Sequence, residues 1–213
     1  MNEILIEIKE MVINGNGKEL LKLVNEAVAK DLKPKKIIDD GLIAGMDVVG
    51  QHMKTGAMFI PEVLHSARNM QAAMEILAPL LAETDRSFSG KVVIGTVEGD
   101  LHDIGKNLVA LMLKGAGFDV IDLGVDVKPE AFVDAVSRHH PQVVGMSALL
   151  TTTMLKMRDT LAALQESGLR SQVKVMAGGA PVTQKLIEDI GADGYGSSAP
   201  MAVDLAKKFT LPD

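Results

Sequence analysis

Apolar positions in the first eighty residues recur at steps of three and four. Ile4, Leu5, Ile8, Met11 and Val12 mark one helix, which Gly15-Asn16-Gly17 stops. Leu20, Leu21, Val24 and Val28 mark a second, ending near Asp31. Pro34 suits the first turn of a third, with Ile38, Leu42, Met46, Val49 and Met53 along one face as far as Gly56. Pro61 opens a fourth, in which Val63, Ala67, Met70, Met74, Leu77 and Leu81 form a bundle seam. The pattern predicts a small four-helix bundle.

After Ala82 the chain turns polar through Glu83-Thr84-Asp85-Arg86-Ser87 to Gly90, the composition of a linker, and a boundary is expected between 1–86 and 87–213. The period then changes. Short β-branched runs at 91–97, 119–123, 142–147, 173–177 and 193–195 alternate with helical stretches. Five strands separated by helices predict an α/β domain with a doubly wound, five-stranded parallel sheet of the flavodoxin-like kind. Ligands of such sheets bind beyond the carboxyl ends of the strands, so chemistry is expected in the loops after Val97, Ser147 and Ala177.

Composition narrows the chemistry. The 213 residues include no cysteine, which excludes disulfides, thiolate catalysis and cysteine-ligated zinc or iron–sulfur centres. The net charge of -6 argues against nucleic acid or an anionic membrane as partner. Acidic residues among the apolar ones of the first eleven positions, and the lack of a long apolar run, predict a cytoplasmic protein. Thirteen methionines against a single tyrosine and no tryptophan suit either a thioether-filled core or an adaptable surface near a bulky ligand.

The loop after the first strand reads Glu98-Gly99-Asp100-Leu101-His102-Asp103-Ile104-Gly105, with a helix to follow. In an extended segment residues i and i+2 project to one side, so Asp100 can accept a hydrogen bond from one imidazole nitrogen of His102 while the other faces a ligand. A solvated turn or a helix cap accounts for the same residues.

Three separated elements narrow those alternatives. Asp100-x-His102-x-x-Gly105, then 41 residues, Ser147-x-Leu149, then 28 residues, Gly178-Gly179 resembles the cobalamin-binding signature shared by methionine synthase, corrinoid methyltransferase carrier proteins and several mutases. Upstream, Met58-Phe59-Ile60-Pro61-Glu62-Val63-Leu64 resembles the helical cap over the methyl face of the corrin in methionine synthase, so the resemblance covers nearly the whole chain. It implies cobalamin or a related corrinoid, in methylcobalamin, hydroxocobalamin or cob(I)alamin form, with His102 as the axial ligand to cobalt. It also implies that Asp103, Ile104 and Gly105 lie against the cofactor. Gly178-Gly179 would let the nucleotide tail approach closely, Ser147 and Leu149 would line its slot, Thr151 (or its neighbours Thr152 and Thr153) would add a hydroxyl, and Tyr195 and Ser197 would border the tail's base. Asp100, and Ser147 through it, would tune the imidazole. Phe59, Val63 and Leu64 would shield the upper face, with the segment 83–90 as a hinge; bundle core is the other reading of Val63 and Leu64.

The same sheet domain serves mutases, light sensors and regulators. Too few residues for a barrel, no tryptophan for a light-sensing cap and no preceding DNA-binding module point instead to a free-standing corrinoid carrier. Such a carrier takes a methyl group onto Co(I) from a substrate:corrinoid methyltransferase and passes it from methyl-Co(III) to a methylcorrinoid:acceptor methyltransferase, acting on a thiol or tetrahydrofolate, with a reductive activase as third partner. It has no catalytic residues of its own. Methylated amines or betaines are the expected methyl source, with O-demethylase and methanol systems as alternatives, and a non-catalytic cobalamin-binding regulator as a distant one. A plain flavodoxin-like or response-regulator domain with a helical dimerisation module explains the sheet but not the triple spacing. A metal hydrolase fits less well, because His52, His65, His139 and His140 are dispersed.

Overall fold

The computed structural model describes residues 2–81 and 89–210. The chain divides into two compact units, residues 1–88 with 114–117 and residues 89–113 with 118–213. The expected boundary at 86/87 and most of the expected linker fall outside the described residues.

The first unit is helical. Helices α1 (Glu3–Ile13) and α2 (Gly17–Ala29) are separated by Gly15 at a φ of 69°, where a side chain would be strained. Asn16 caps α2 by accepting from the Glu19 amide. The third rod starts as α3 (Pro34–Ile37), passes through a π-helical turn at Ile38–Ile43 and continues as α4 (Ala44–Thr55). Helix α5 (Ile60–Leu77) opens on Pro61, and Glu62 accepts from the Phe59 amide. It ends four residues before the expected Leu81, giving way to a 3-10 turn at Ala78–Leu80. Pro79 has no amide to extend the α ladder.

Helix α1 packs on α2, α4 and α5, and α5 packs on α2 and α4. Close approach of α1 to the third rod depends on two glycines there. A Cβ on Gly41 would stand 2.8 Å from Ile8 Cγ2, and one on Gly45 would stand 2.7 Å from Val12 Cβ. The buried stripe of α2 is Leu20, Leu23, Val24 and Ala27, so the face is rotated from the expected Leu21 and Val28, both half-buried.

The second unit is a parallel sheet of β1 (Lys91–Thr96), β2 (Asp119–Asp122), β3 (Val143–Ser147), β4 (Lys174–Gly178) and β5 (Gly194–Tyr195) in the order β2-β1-β3-β4-β5. All four pairings are parallel. The connecting helices are α6 (Ile104–Gly115), α7 (Pro129–His139), α8 (Lys156–Glu166) and α9 (Gln184–Ile190), with α10 (Ala199–Thr210) following β5. Strand alternation sends Val93, Val144 and Val175 to a core with Phe132 of α7, Met157, Leu161 and Leu164 of α8, and Ile187 of α9. Each such fully buried side chain is worth roughly 1.5–3 kcal/mol of transfer free energy. Among the described residues no helix is long and apolar enough to cross a membrane.

Chain order reverses between β1 and β3, so the loops leaving these neighbouring strands diverge and open a crevice at their carboxyl ends. Register levels Thr96, Ser147 and Gly178 there, with Ala177 opposite Tyr195. This row frames the site.

Candidate corrinoid site

Beyond Thr96 the chain bridges once more, Val97 to Val127, and turns at Gly99, whose φ of 80° suits glycine. The turn drops Asp100 into the crevice with no exposed surface. Its Oδ1 accepts from the His102 amide at 3.1 Å and stands 2.7 Å from His102 Nδ1. Its Oδ2 accepts from the Leu149 amide at 2.7 Å, the Leu150 amide at 3.4 Å and the Thr153 hydroxyl at 2.5 Å. Burial alone would raise the Asp100 pKa, but the Thr153 hydroxyl, the Leu149 and His102 amides and the His102 ring together outweigh it. They hold the carboxyl well below the ordinary aspartate range. An ionised carboxylate only accepts, so Nδ1 of His102 is the donor in this contact and Nε2 takes no part in it. The ring is half exposed, and the Thr96 hydroxyl donates to the His102 carbonyl at 2.9 Å, fixing the backbone beneath it.

Around this imidazole the edge of the unit is apolar. Leu101 and Ile104, on either side of His102 in sequence, are 72% and 82% exposed, and Leu149 and Leu150 are also exposed. Four uncovered branched side chains on one edge suit a large flat ligand.

Beside them, one face of the sheet and helices α6 and α10 enclose a slot of about 330 Å³. Small residues keep it open, among them Gly145, Ser147, Gly178, Ser198 and Ala202, and Tyr195 and Ser197 also line it. Gly105 lines it too, and a Cβ there would meet no protein atom. Gly178 and Gly179 have a further reason to be glycine beyond room for a ligand. A Cβ on Gly178 would lie 2.4 Å from the Gly196 carbonyl oxygen, and one on Gly179, at a φ of 128°, would overlap the Ala148 carbonyl. The pair is demanded first by close packing of strand-end backbones.

The structure corrects the expected partner of Asp100. The second carboxylate oxygen is taken by Thr153, not reached by Ser147, which instead lines the slot. Thr151 is exposed and outside both the slot and the Asp100 network. Thr153 sits in the three-threonine run before α8, a run that equally suits a helix cap. Leu149 contributes its amide to Asp100 and its side chain to the apolar edge. Asp103 stands at the start of α6, where it accepts from the Asn107 side chain at 3.0 Å. In the helical unit Val63 is fully buried, Leu64 half-buried and Phe59 70% exposed. Sequence reading also passed over Lys106, whose ammonium is buried and paired with Asp122.

Fold and site together define a class: a parallel α/β domain that presents one oriented imidazole at the carboxyl edge of its sheet, with a slot beside it. Among the described residues no three His, Asp or Glu side chains gather to hold a bare ion. The B12 binding domain family matches residues 90–204, and a second B12 binding domain model matches residues 4–78. A corrinoid protein of Desulfitobacterium hafniense is 43% identical over 97% of both chains. Trimethylamine corrinoid protein 2 of Methanosarcina mazei is 44% identical over 96% of this chain and 95% of its own. The crystal structure of the methanol:cobalamin methyltransferase complex MtaBC from Methanosarcina barkeri matches with a TM-score of 0.88 at 31% identity, covering 98% of this chain and 80% of that one. The chain belongs to the B12-binding corrinoid proteins of methyltransferase systems.

Proposed function

We propose that this protein is a cytoplasmic methyl carrier in which His102 Nε2 is the axial ligand to the cobalt of a corrinoid. One observation carries the assignment of the ligand: Nδ1 of His102 is tied to a buried, ionised Asp100 while Nε2 remains available at the carboxyl edge of the sheet, beside the slot. The corrinoid, when bound, supplies the chemistry, because its cobalt takes up and gives up a methyl group. The protein's own residues orient and hold. Asp100 keeps the proton on Nδ1, Thr153 and Leu149 keep Asp100 ionised, and Leu101, Ile104, Leu149 and Leu150 offer apolar surface to the ring. Gly105, Ser147, Gly178 and Tyr195 bound the space for the nucleotide tail.

In this reading the helical unit is the cap over the methyl face, with Phe59 and Leu64 its contact residues. Val63, fully buried, serves the helical core. The partners are a substrate:corrinoid methyltransferase, an acceptor methyltransferase and a reductive activase. A methylated amine is the favoured methyl source, supported by the 44% identical trimethylamine corrinoid protein. A methanol source is the second reading, supported by the fold match to the methanol system.

The test is incubation with hydroxocobalamin, removal of free cofactor and an absorbance spectrum, for the wild type and for His102→Ala. A stoichiometric corrinoid in the wild type and a changed spectrum in the variant are expected. An unchanged spectrum would remove His102 as ligand, and no retained corrinoid in the wild type would remove the carrier function.

A further inference from the structure

Lys106 is one turn along from His102, in the first part of α6, and is 3% exposed. A lysine on an amphipathic helix ordinarily reaches water. This one turns inward, and its ammonium donates to Asn107 Oδ1 at 2.7 Å and to both oxygens of Asp122, at 2.7 and 2.5 Å. Asp122 ends β2, the edge strand beside β1. A buried ion pair is expensive to desolvate and is weak grounds for stability alone, so its geometric consequence is the matter of interest.

That consequence can be followed bond by bond. Asp122 Oδ1 also accepts from the Gly124 amide at 2.9 Å, which holds the start of the loop between β2 and α7. The Gly124 carbonyl accepts from the Thr96 amide at 3.0 Å, and the Thr96 hydroxyl donates to the His102 carbonyl. Two residues on, Asp126 takes a left-handed φ of 53°, accepts from the Gly99 amide at 2.7 Å and donates its own amide to the Asp100 carbonyl at 2.9 Å. With the Val127 amide, which donates to the Thr96 carbonyl at 2.9 Å, the β2–α7 loop therefore grips the segment 96–102 at four points, and the strand residue just before the loop, Asp122, is gripped by Lys106.

We infer that the Lys106–Asp122 pair is a positioning device for the axial histidine, holding the β2–α7 loop so that the loop sets the backbone height and tilt of His102. Neither side chain hydrogen-bonds the imidazole, and of the two only Lys106 lines the slot. The inference rests on the proposal that His102 ligates cobalt, and it adds residues to which the Asp100 network makes no hydrogen bond.

The test uses the full chain, grown with heavy nitrogen, loaded with unlabelled cobalamin and reduced to the Co(II) state for electron paramagnetic resonance. An axial nitrogen from the protein splits the cobalt lines into doublets. The cofactor's own base gives triplets, and an axial water gives neither. The wild type is expected to show doublets. Lys106→Met and Thr96→Val cut the connection at opposite ends, and each is expected to lower the ratio of histidine-bound to histidine-free cobalt, by up to about tenfold. Because the Thr96 hydroxyl is one of the routes by which the loop reaches His102, the double variant should lose less than the product of the two single losses.

Doublets at the wild-type ratio in both single variants, or losses that multiply in the double variant, would overturn the positioning role while leaving His102 as ligand. Triplets in the wild type would instead remove His102 as ligand, and the positioning role with it. Should Lys106→Met fail to fold, Asp122→Asn breaks the pair from a residue that does not line the slot, and doublets at the wild-type ratio in that variant would overturn the positioning role.

Discussion

The two faces of the parallel sheet are built from the same strands and treated in opposite ways. On one face Val93, Val144 and Val175 meet Phe132, Met157, Leu161 and Leu164 in a filled layer. On the other, Gly145, Ser147 and Gly178 face α6 and α10 across a slot of about 330 Å³. Alternation along each strand makes the two programmes independent, since neighbouring residues never share a face. The lesson is that the packed face can carry stability so that the hollow face need not, and that the strand-end loops, tied through Asp100, belong to both.

Three substitutions probe that division, in order of falling effect on stability. Phe132→Ala empties the packed face and is expected to cost about 3–5 kcal/mol in urea unfolding. The fraction that remains folded should still retain corrinoid, and loss of cofactor from folded protein would break the division. Asp100→Asn strikes the rim and is expected to cost about 1–3 kcal/mol at neutral pH, because donors aimed at a carboxylate lose their charge-assisted partner. The sign with pH follows from the depressed pKa of Asp100. Its contribution is fully present above the pKa of an unfolded aspartate, about 4, and is lost as the pH falls toward the lower folded value. The wild type should therefore lose more stability than the variant on acidification below that point. Equal losses would show that Asp100 is not held ionised by its partners.

The smallest effect is expected on the hollow face. Ala202→Leu adds carbons to open space and should change stability by less than about 1 kcal/mol. Cobalamin retention should fall sharply, while cobinamide, which lacks the nucleotide tail, should bind as before. Equal loss of both ligands would mean that the slot does not take the tail.

Much of this was legible in the sequence because it was local. The strands stood out as β-branched runs, and Asp100 and His102 as a pair two residues apart. What stayed hidden depends on strand order. Thr153 is 53 positions from Asp100, and only the adjacency of β1 and β3 brings its hydroxyl to that carboxylate. In the sequence it was one of three threonines suited to a helix cap, and Ser147 resembled the better partner. Lys106 drew no notice in the sequence, because nothing local says that β2 will lie at its side. The π turn at Ile38–Ile43 was equally silent, since the apolar steps across it continue unbroken. The roles of Gly178 and Gly179 were read as room for a ligand, whereas the nearest obstacles to a Cβ are the Gly196 and Ala148 carbonyls, contributed by other segments.

The span between Asp100 and Thr153 also imposes an order of events on a chain leaving the ribosome. Once residue 153 has emerged, every donor to the Asp100 carboxylate is available and His102 can be aimed. The slot at that moment has no far wall, because Tyr195, Gly196, Ala199 and Ala202 are still to be synthesised. In chain order, then, the groups that orient the His102 ring all come before the residues that close the far side of the slot.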